Sequence, residues 1–147
     1  MIRALIVGLG WWGKTLVGSV YNKSDKIKIC YGLTRTASDN AKSYAKSKEI
    51  ELLEGAYTEV IQRADIEAVI LATPHSQHST QVQIASKYGK HIACEKPFTL
   101  NRRDALSAIV AVEKNRVTLS VLYNRRFNPV VIEIQKLIKS GRLGTIV

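Results

Sequence analysis

The chain has 147 residues, 46% of them hydrophobic and 23% charged, which suits one well-cored domain and excludes disordered, fibrous and ordinary two-domain readings. Its formal charge of +10 invites nucleic acid or an anionic membrane surface as a partner, but the basic residues are scattered. Lys42, Lys46 and Lys48 lie on one polar segment, Arg102 and Arg103 start another, and Arg125 and Arg126 form a pair, with no basic tail or aromatic-interleaved stripe. The expectation is an anionic small ligand, with neither nucleic acid nor membrane as partner. Cys30 and Cys94 fall in apolar runs without C-x-x-C spacing and read as buried, reduced thiols of a cytoplasmic protein. The apolar run ahead of Gly8 is too short for a signal-peptide core or a membrane span.

Ala4-Leu5-Ile6-Val7 predicts a first strand, and it runs directly into Gly8-Leu9-Gly10-Trp11-Trp12-Gly13, a G-x-G-x-x-G turn. In that turn the first glycine permits a sharp bend, the second lets a pyrophosphate approach bare backbone, and the third lets the helix pack on its strand. Helical spacing follows over residues 12–21 and a polar break over 22–26. Residues 26–33 alternate and then turn apolar, as a second strand of a covered parallel sheet would, and end at Thr34-Arg35-Thr36. Ser38 or Thr36 can cap a helix over 40–48 with Ala41, Tyr44 and Ala45 as its stripe.

Residues 50–53 predict a short third strand, 57–63 a short helix, and 67–72 the clearest buried strand. A loop over 73–78, bent at Pro74, then precedes a helix over 79–88 stopped by Gly89. His91-Ile92-Ala93-Cys94 repeats the strand pattern and Glu95-Lys96-Pro97 ends it. Asn101 with Asp104 caps a helix reaching about Asn115, residues 117–122 form a sixth strand, and Asn128-Pro129 opens a helix through Lys139 stopped by Gly141. Six alternating units predict an α/β fold, a doubly wound parallel sheet of Rossmann type with right-handed crossovers. In such a sheet the ligand lies at the carboxyl ends of the strands, and that is where the informative residues fall.

Several of these segments, in order, resemble the nucleotide-binding domain of the glucose-fructose oxidoreductase / inositol dehydrogenase / MocA family: the glycine turn, Thr73-Pro74-His75-Ser76-Gln77-His78, Glu95-Lys96-Pro97, Asn124-Arg125-Arg126-Phe127, and the closing Gly141-Arg142-Leu143-Gly144-Thr145-Ile146-Val147. The resemblance implies residues 1–144 as a dinucleotide-binding domain and 145–147 as the start of a second, substrate-binding α/β domain that this chain does not contain. It implies an NAD(P)-dependent oxidoreductase that moves a hydride between nicotinamide and a secondary alcohol of a polyhydroxylated, sugar- or cyclitol-like substrate. Homo-oligomers would form through the second domain. The alternative is a dinucleotide-binding or sensing module without chemistry of its own.

By the same resemblance Lys96 is the catalytic residue, assisting proton transfer at the substrate hydroxyl. Glu95 stands against the ribose and nicotinamide side of the cofactor, His78 lines the cofactor site with Thr73 and Pro74, and Asn124 and Arg126 contact cofactor or substrate. Gly8, Leu9, Gly10, Trp11, Trp12 and Gly13 form the phosphate turn, Trp12 being placed either to flank the nicotinamide or simply to pack. His75 and His78 make an H-x-x-H, but without a third ligand nearby no metal is expected. At the end of the second strand, where an NAD enzyme typically carries a carboxylate for the ribose 2′-hydroxyl, stands Thr34-Arg35-Thr36. A guanidinium flanked by hydroxyls suits a 2′-phosphate, so the expected cofactor is NADP in preference to NAD.

Overall fold

The protein is described by a computed structural model over residues 1–146. Its elements run β1 (Ile2–Val7), α1 (Trp11–Val20), β2 (Ile27–Leu33), α2 (Asp39–Ser47), β3 (Glu51–Leu52), α3 (Tyr57–Val60), β4 (Ala68–Leu71), α4 (His75–Lys87), β5 (His91–Cys94), α5 (Arg102–Lys114) and β6 (Leu119–Val121). A single 3₁₀ turn (Asn124–Phe127) then leads into α6 (Pro129–Lys139). The strands form one six-stranded sheet in the order β3-β2-β1-β4-β5-β6, and every pairing is parallel. The order reverses between β1 and β4, and the crevice outside their carboxyl ends is the switch point where ligands of open α/β sheets sit.

The strands read as continuous apolar runs because both faces of the sheet are covered. In β1, Leu5 and Val7 point into one core cluster with Val60, Val82, Ala85, Ala108 and Val112 of α3, α4 and α5. Ala4 and Ile6 point the other way, onto Val17 of α1 and Ala45 of α2. The helix starts are set by local side chains: Ser38 accepts from the Ala41 amide at 3.3 Å, and Asn101 accepts from the Asp104 amide at 2.9 Å while donating to its carboxylate at 2.8 Å.

Two expectations about the elements need correcting. First, α4 begins at His75, so the segment expected as a loop over 73–78 is in large part the first turn of a helix. Pro74 occupies the cap position in extended conformation, where its missing N–H costs nothing. Second, α6 adds no layer to the sheet: none of its residues is buried, and Val130, Ile132, Ile134 and Ile138 are exposed. Of residues 145–147, expected as the start of a second domain, Val147 lies outside the described residues, and Thr145 and Ile146 belong to no strand.

At the opposite, amino-terminal edge of the sheet the α3–β4 connection is pinned by charge. Tyr31, 4% exposed, donates to Asp65 at 2.6 Å, and Arg63 binds the same carboxylate at 2.9 Å. The Arg63 guanidinium, with the Tyr31 hydroxyl second, holds the Asp65 carboxyl well below the usual range. The Lys90 ammonium closes the connection by donating to the Arg63 and Ile66 carbonyls, each at 2.7 Å.

Candidate functional site

The glycine turn joins β1 to α1 at the switch point. Gly8 has φ +95°, and a Cβ there would stand 2.6 Å from the Ala72 carbonyl oxygen; one on Gly13 would stand 1.9 Å from the Gly8 oxygen. Both positions are glycine because the fold leaves no room. Gly10 differs: its backbone is extended, with φ −67° and ψ −174°, and a Cβ would meet no atom within 4 Å. Nothing among the described residues requires a glycine there, and what the missing side chain leaves bare is the backbone at the start of α1. That helix has no side-chain cap and no acidic residue in its first turn, so its leading N–H groups are free for an anion.

Three clefts lie along the carboxyl ends of the strands. The first, about 510 Å³, runs between the glycine turn, Thr34 and Arg35 after β2, and Thr73 and Pro74 after β4. Arg35 is exposed on its rim and has no hydrogen-bond or ion-pair partner among the described residues. Thr34 is half-buried, its hydroxyl donating to the Thr36 carbonyl at 3.4 Å, and Thr36 itself lies outside the lining. Leu9 borders this cleft, yet its side chain is 4% exposed and packs in the core.

The second cleft, about 350 Å³, shares Thr73 with the first and is walled by Trp11, Trp12, His75, Glu95 and Lys96. The two indoles lie 5.4 Å apart, Trp11 exposed and Trp12 half-buried with its Nε1 enclosed and unpartnered. Glu95 is 5% exposed, and its Oε2 accepts from the Lys96 amide at 3.1 Å. The Lys96 side chain is exposed toward the cleft and has no ion-pair partner among the described residues; the Lys96-Pro97 bond is cis. A third cleft, about 290 Å³, continues past Trp12 and Glu95 to Ser120, Asn124, Arg126 and Phe127. The loops after β1, β2, β4, β5 and β6 thus meet along one edge of the sheet.

His78 does not face this edge. Its ring is wholly buried in α4, with Nε2 3.0 Å from the Thr73 carbonyl and Nδ1 3.1 Å and 3.2 Å from the carbonyls of Pro97 and Phe98. The expectation that it lines the cofactor site with Thr73 and Pro74 is corrected on that geometry: it ties the cleft walls together from behind. His75, 5.6 Å from it between ring centroids, is the histidine on the cleft. No group of three His, Cys, Asp or Glu side chains is placed to hold a metal among the described residues. Cys94, fully buried beneath Glu95, has its thiol pushed up to about 12 by burial and, secondarily, by the Glu95 charge.

Tyr57, Gln77 and Gln81 also line the first cleft and were not anticipated. Gln81 accepts from the Thr73 hydroxyl at 2.5 Å, and its carbonyl accepts from Tyr57 at 2.8 Å. Their signal was the four-residue spacing of Gln77 and Gln81 on one helix face, which is visible only once α4 is started at His75.

A glycine turn, a bare helix start and a crevice at a strand-order reversal make this a dinucleotide-binding Rossmann domain. The chain belongs to the glucose-fructose oxidoreductase / inositol dehydrogenase / MocA oxidoreductase family, whose NAD-binding Rossmann-fold profile matches residues 2–123. It is 31% identical to the scyllo-inositol 2-dehydrogenase (NAD(+)) of Bacillus subtilis (strain 168), over 97% of this chain and 42% of that protein. To the scyllo-inositol 2-dehydrogenase (NADP(+)) IolW of the same organism it is 28% identical, over 99% and 39%. The crystal structure of apo scyllo-inositol dehydrogenase from Lactobacillus casei superposes with a TM-score of 0.89 at 25% identity, covering 99% of this chain and 44% of that one. The chain therefore spans about two fifths of the length of these relatives. No described helix is long and apolar enough to cross a membrane.

Proposed function

We propose that residues 1–144 bind a nicotinamide dinucleotide along the three clefts. The reaction read here is hydride exchange with a secondary alcohol of a sugar- or cyclitol-like substrate, Lys96 serving the proton. Gly10 carries the reading: no atom among the described residues fills the place of its missing side chain, which supports the close approach of a ligand to the backbone. The pyrophosphate then lies on the start of α1, the adenosine half beside Thr34 and Arg35, and the nicotinamide half between Trp12 and Glu95. When bound, the cofactor supplies the hydride acceptor or donor. Asn124 and Arg126 on the third cleft extend the polar wall toward cofactor or substrate.

The Lys96 ammonium has no competing partner among the described residues, so its proton can be given to, or its amine can take one from, a hydroxyl brought next to the nicotinamide. The buried Glu95 holds the Lys96 backbone amide and so fixes where that side chain leaves the sheet. A second α/β domain, as long as the remainder of the relatives, completes the substrate pocket and carries the subunit contacts.

We assign NADP in preference to NAD, because the free Arg35 guanidinium on the rim favours a 2′-phosphate and no carboxylate stands beside it at the end of β2. Quenching of Trp11 and Trp12 fluorescence by NADPH and NADH tests both parts. NADPH is expected to bind the wild type more tightly, and Arg35→Ala should weaken NADPH about tenfold, as loss of one charge-assisted contact does, with a larger effect at low salt. Tighter NADH binding overturns the preference; binding of neither nucleotide overturns the function.

A further inference from the structure

Gln77 and Gln81 stand one turn apart on α4 and bring two side-chain amides to the first cleft. They form a chain with Thr73: the Thr73 hydroxyl donates to Gln81 Oε1 at 2.5 Å, and Gln81 Nε2 donates to Gln77 Oε1 at 3.3 Å. A separation of 2.5 Å suits an O–H donor on an oxygen and is short for an N–H, so the Gln81 oxygen is the atom turned to Thr73. Its nitrogen then faces Gln77, which answers with an oxygen. Gln81 is 8% exposed, and the Tyr57 hydroxyl holds its backbone carbonyl at 2.8 Å, so the chain starts from a fixed residue. Gln77 is exposed on the cleft, and its Nε2 has no partner among the described residues.

A free glutamine amide turns over readily and offers N–H or oxygen in either order. Held by Gln81, the Gln77 amide offers one order only: its N–H donors, and beside them the second lone pair of Oε1. Adenine matches that order, with an accepting ring nitrogen N1 next to a donating 6-amino group. Hypoxanthine reverses it, with a carbonyl at position 6 and a proton on N1. We propose that Gln77 reads the adenine base of the bound nucleotide along this edge, and that Gln81 is the positioning residue that fixes the order of the amide through Thr73. Gln81 thereby makes a side chain able to pair with either purine selective for one. Leu33, Pro74 and Tyr57 on the same cleft supply apolar surface for the purine.

This inference rests on the adenosine half of the nucleotide lying in the first cleft, as proposed above. Fluorescence titration of the 147-residue chain with NADPH, and with its analogue carrying hypoxanthine in place of adenine, tests it. The wild type is expected to bind NADPH about tenfold more tightly than the analogue, within the range that a bidentate amide–adenine pair discriminates. Gln77→Leu should bind the two alike, with NADPH about tenfold weaker than in the wild type. Gln81→Met keeps the side-chain volume and frees the Gln77 amide to turn over. It should bind the analogue about fivefold more tightly than the wild type does, most of the wild-type preference being lost. A merely structural Gln81 gives no such gain. Equal wild-type affinities overturn the proposal and leave dinucleotide binding standing, and a preference that survives Gln77→Leu overturns the role of Gln77. A folded Gln81→Met chain that keeps the full preference overturns the positioning role; if that variant does not fold, the exposed Gln77 decides through Gln77→Leu. A folded wild type that binds neither nucleotide overturns the function itself.

Discussion

Gly8, Gly10 and Gly13 answer to different neighbours, and that difference separates folding from binding at single-residue resolution. A methyl group on Gly13 would sit 1.9 Å from the Gly8 carbonyl oxygen, a clash with backbone that no side-chain rotation relieves. Gly13→Ala is therefore expected to lose about 3 kcal/mol or more, in line with overpacking against backbone. At Gly10 the same methyl group enters open space, and an alanine at a helix N-cap costs within about 1 kcal/mol. Gly10→Ala should keep its thermal midpoint within a few degrees, as a loss of that size implies for a domain of this length. Its NADPH dissociation constant should rise at least about tenfold, because on the proposed reading the methyl group stands where the pyrophosphate reaches the amides. Thermal melts and fluorescence titrations of the two variants check this together. Comparable losses of stability in both would make Gly10 a fold residue and remove the observation that carries the functional reading.

At the scale of elements, what could be read from the chain was whatever packs on the sheet. β1 and β4 were legible because both of their faces meet apolar helices, so their runs are unbroken. The caps at Ser38 and Asn101 were legible because one side chain satisfies one amide. The start of α4 was not, because the buried face of its first two turns is polar, made of His78, Ser79 and Gln81 ahead of the apolar Val82 and Ala85, with Ser79 donating to the distant Asp104 carbonyl at 2.9 Å. Apolar periodicity carries no trace of such a face. The candidate site followed the same rule: the glycine turn and Glu95-Lys96-Pro97 could be placed at strand ends from the chain, whereas Gln77, Gln81 and the burial of His78 depended on where α4 begins. The end of β5 also has a stability signature. Burial holds the Cys94 proton up to about 12 from an ordinary value of 9.0, so between those pH values the folded chain keeps a proton that the unfolded chain has lost. Stability from this thiol is complete below about pH 9 and falls as pH rises, by about 1.4 kcal/mol per pH unit. Denaturant unfolding at pH 9, 10 and 11 should approach that slope in the wild type and show a shallower one in Cys94→Ala. The comparison isolates the thiol from Tyr57, which burial also pushes up, and Lys90, which burial pushes down. Equal slopes would mean that Cys94 is open to solvent.

The whole molecule is asymmetric. One end of its sheet is closed by the Tyr31, Arg63 and Asp65 network, while the other carries the clefts and, beyond β6, a flank of exposed apolar side chains including Phe127, Val130 and Ile134. The Lys96 side chain stands open to solvent on the cleft side. On the proposed reading, hydride transfer gains from excluding water and from holding both reactants, and the clefts of this chain are the cofactor half of that arrangement. The 147-residue chain is accordingly expected to bind the nicotinamide nucleotide and to turn over polyols slowly or not at all. In a longer form that carries a second domain of the relatives' length, turnover should appear, and Lys96→Met then tells what the lysine does. An interaction made at the substrate oxygen during proton transfer belongs to the transition state and not to the resting cofactor complex. Lys96→Met should lower kcat by at least about 100-fold, the usual worth of a positioned acid or base, and change the NADPH dissociation constant less than about threefold, within the range of a single lost surface contact. Steady-state rates on inositols and sugars, set beside fluorescence titration of the same variant, measure both quantities. A kcat that falls no more than the affinity does would make Lys96 a residue that binds the cofactor and leave the proton transfer to another group.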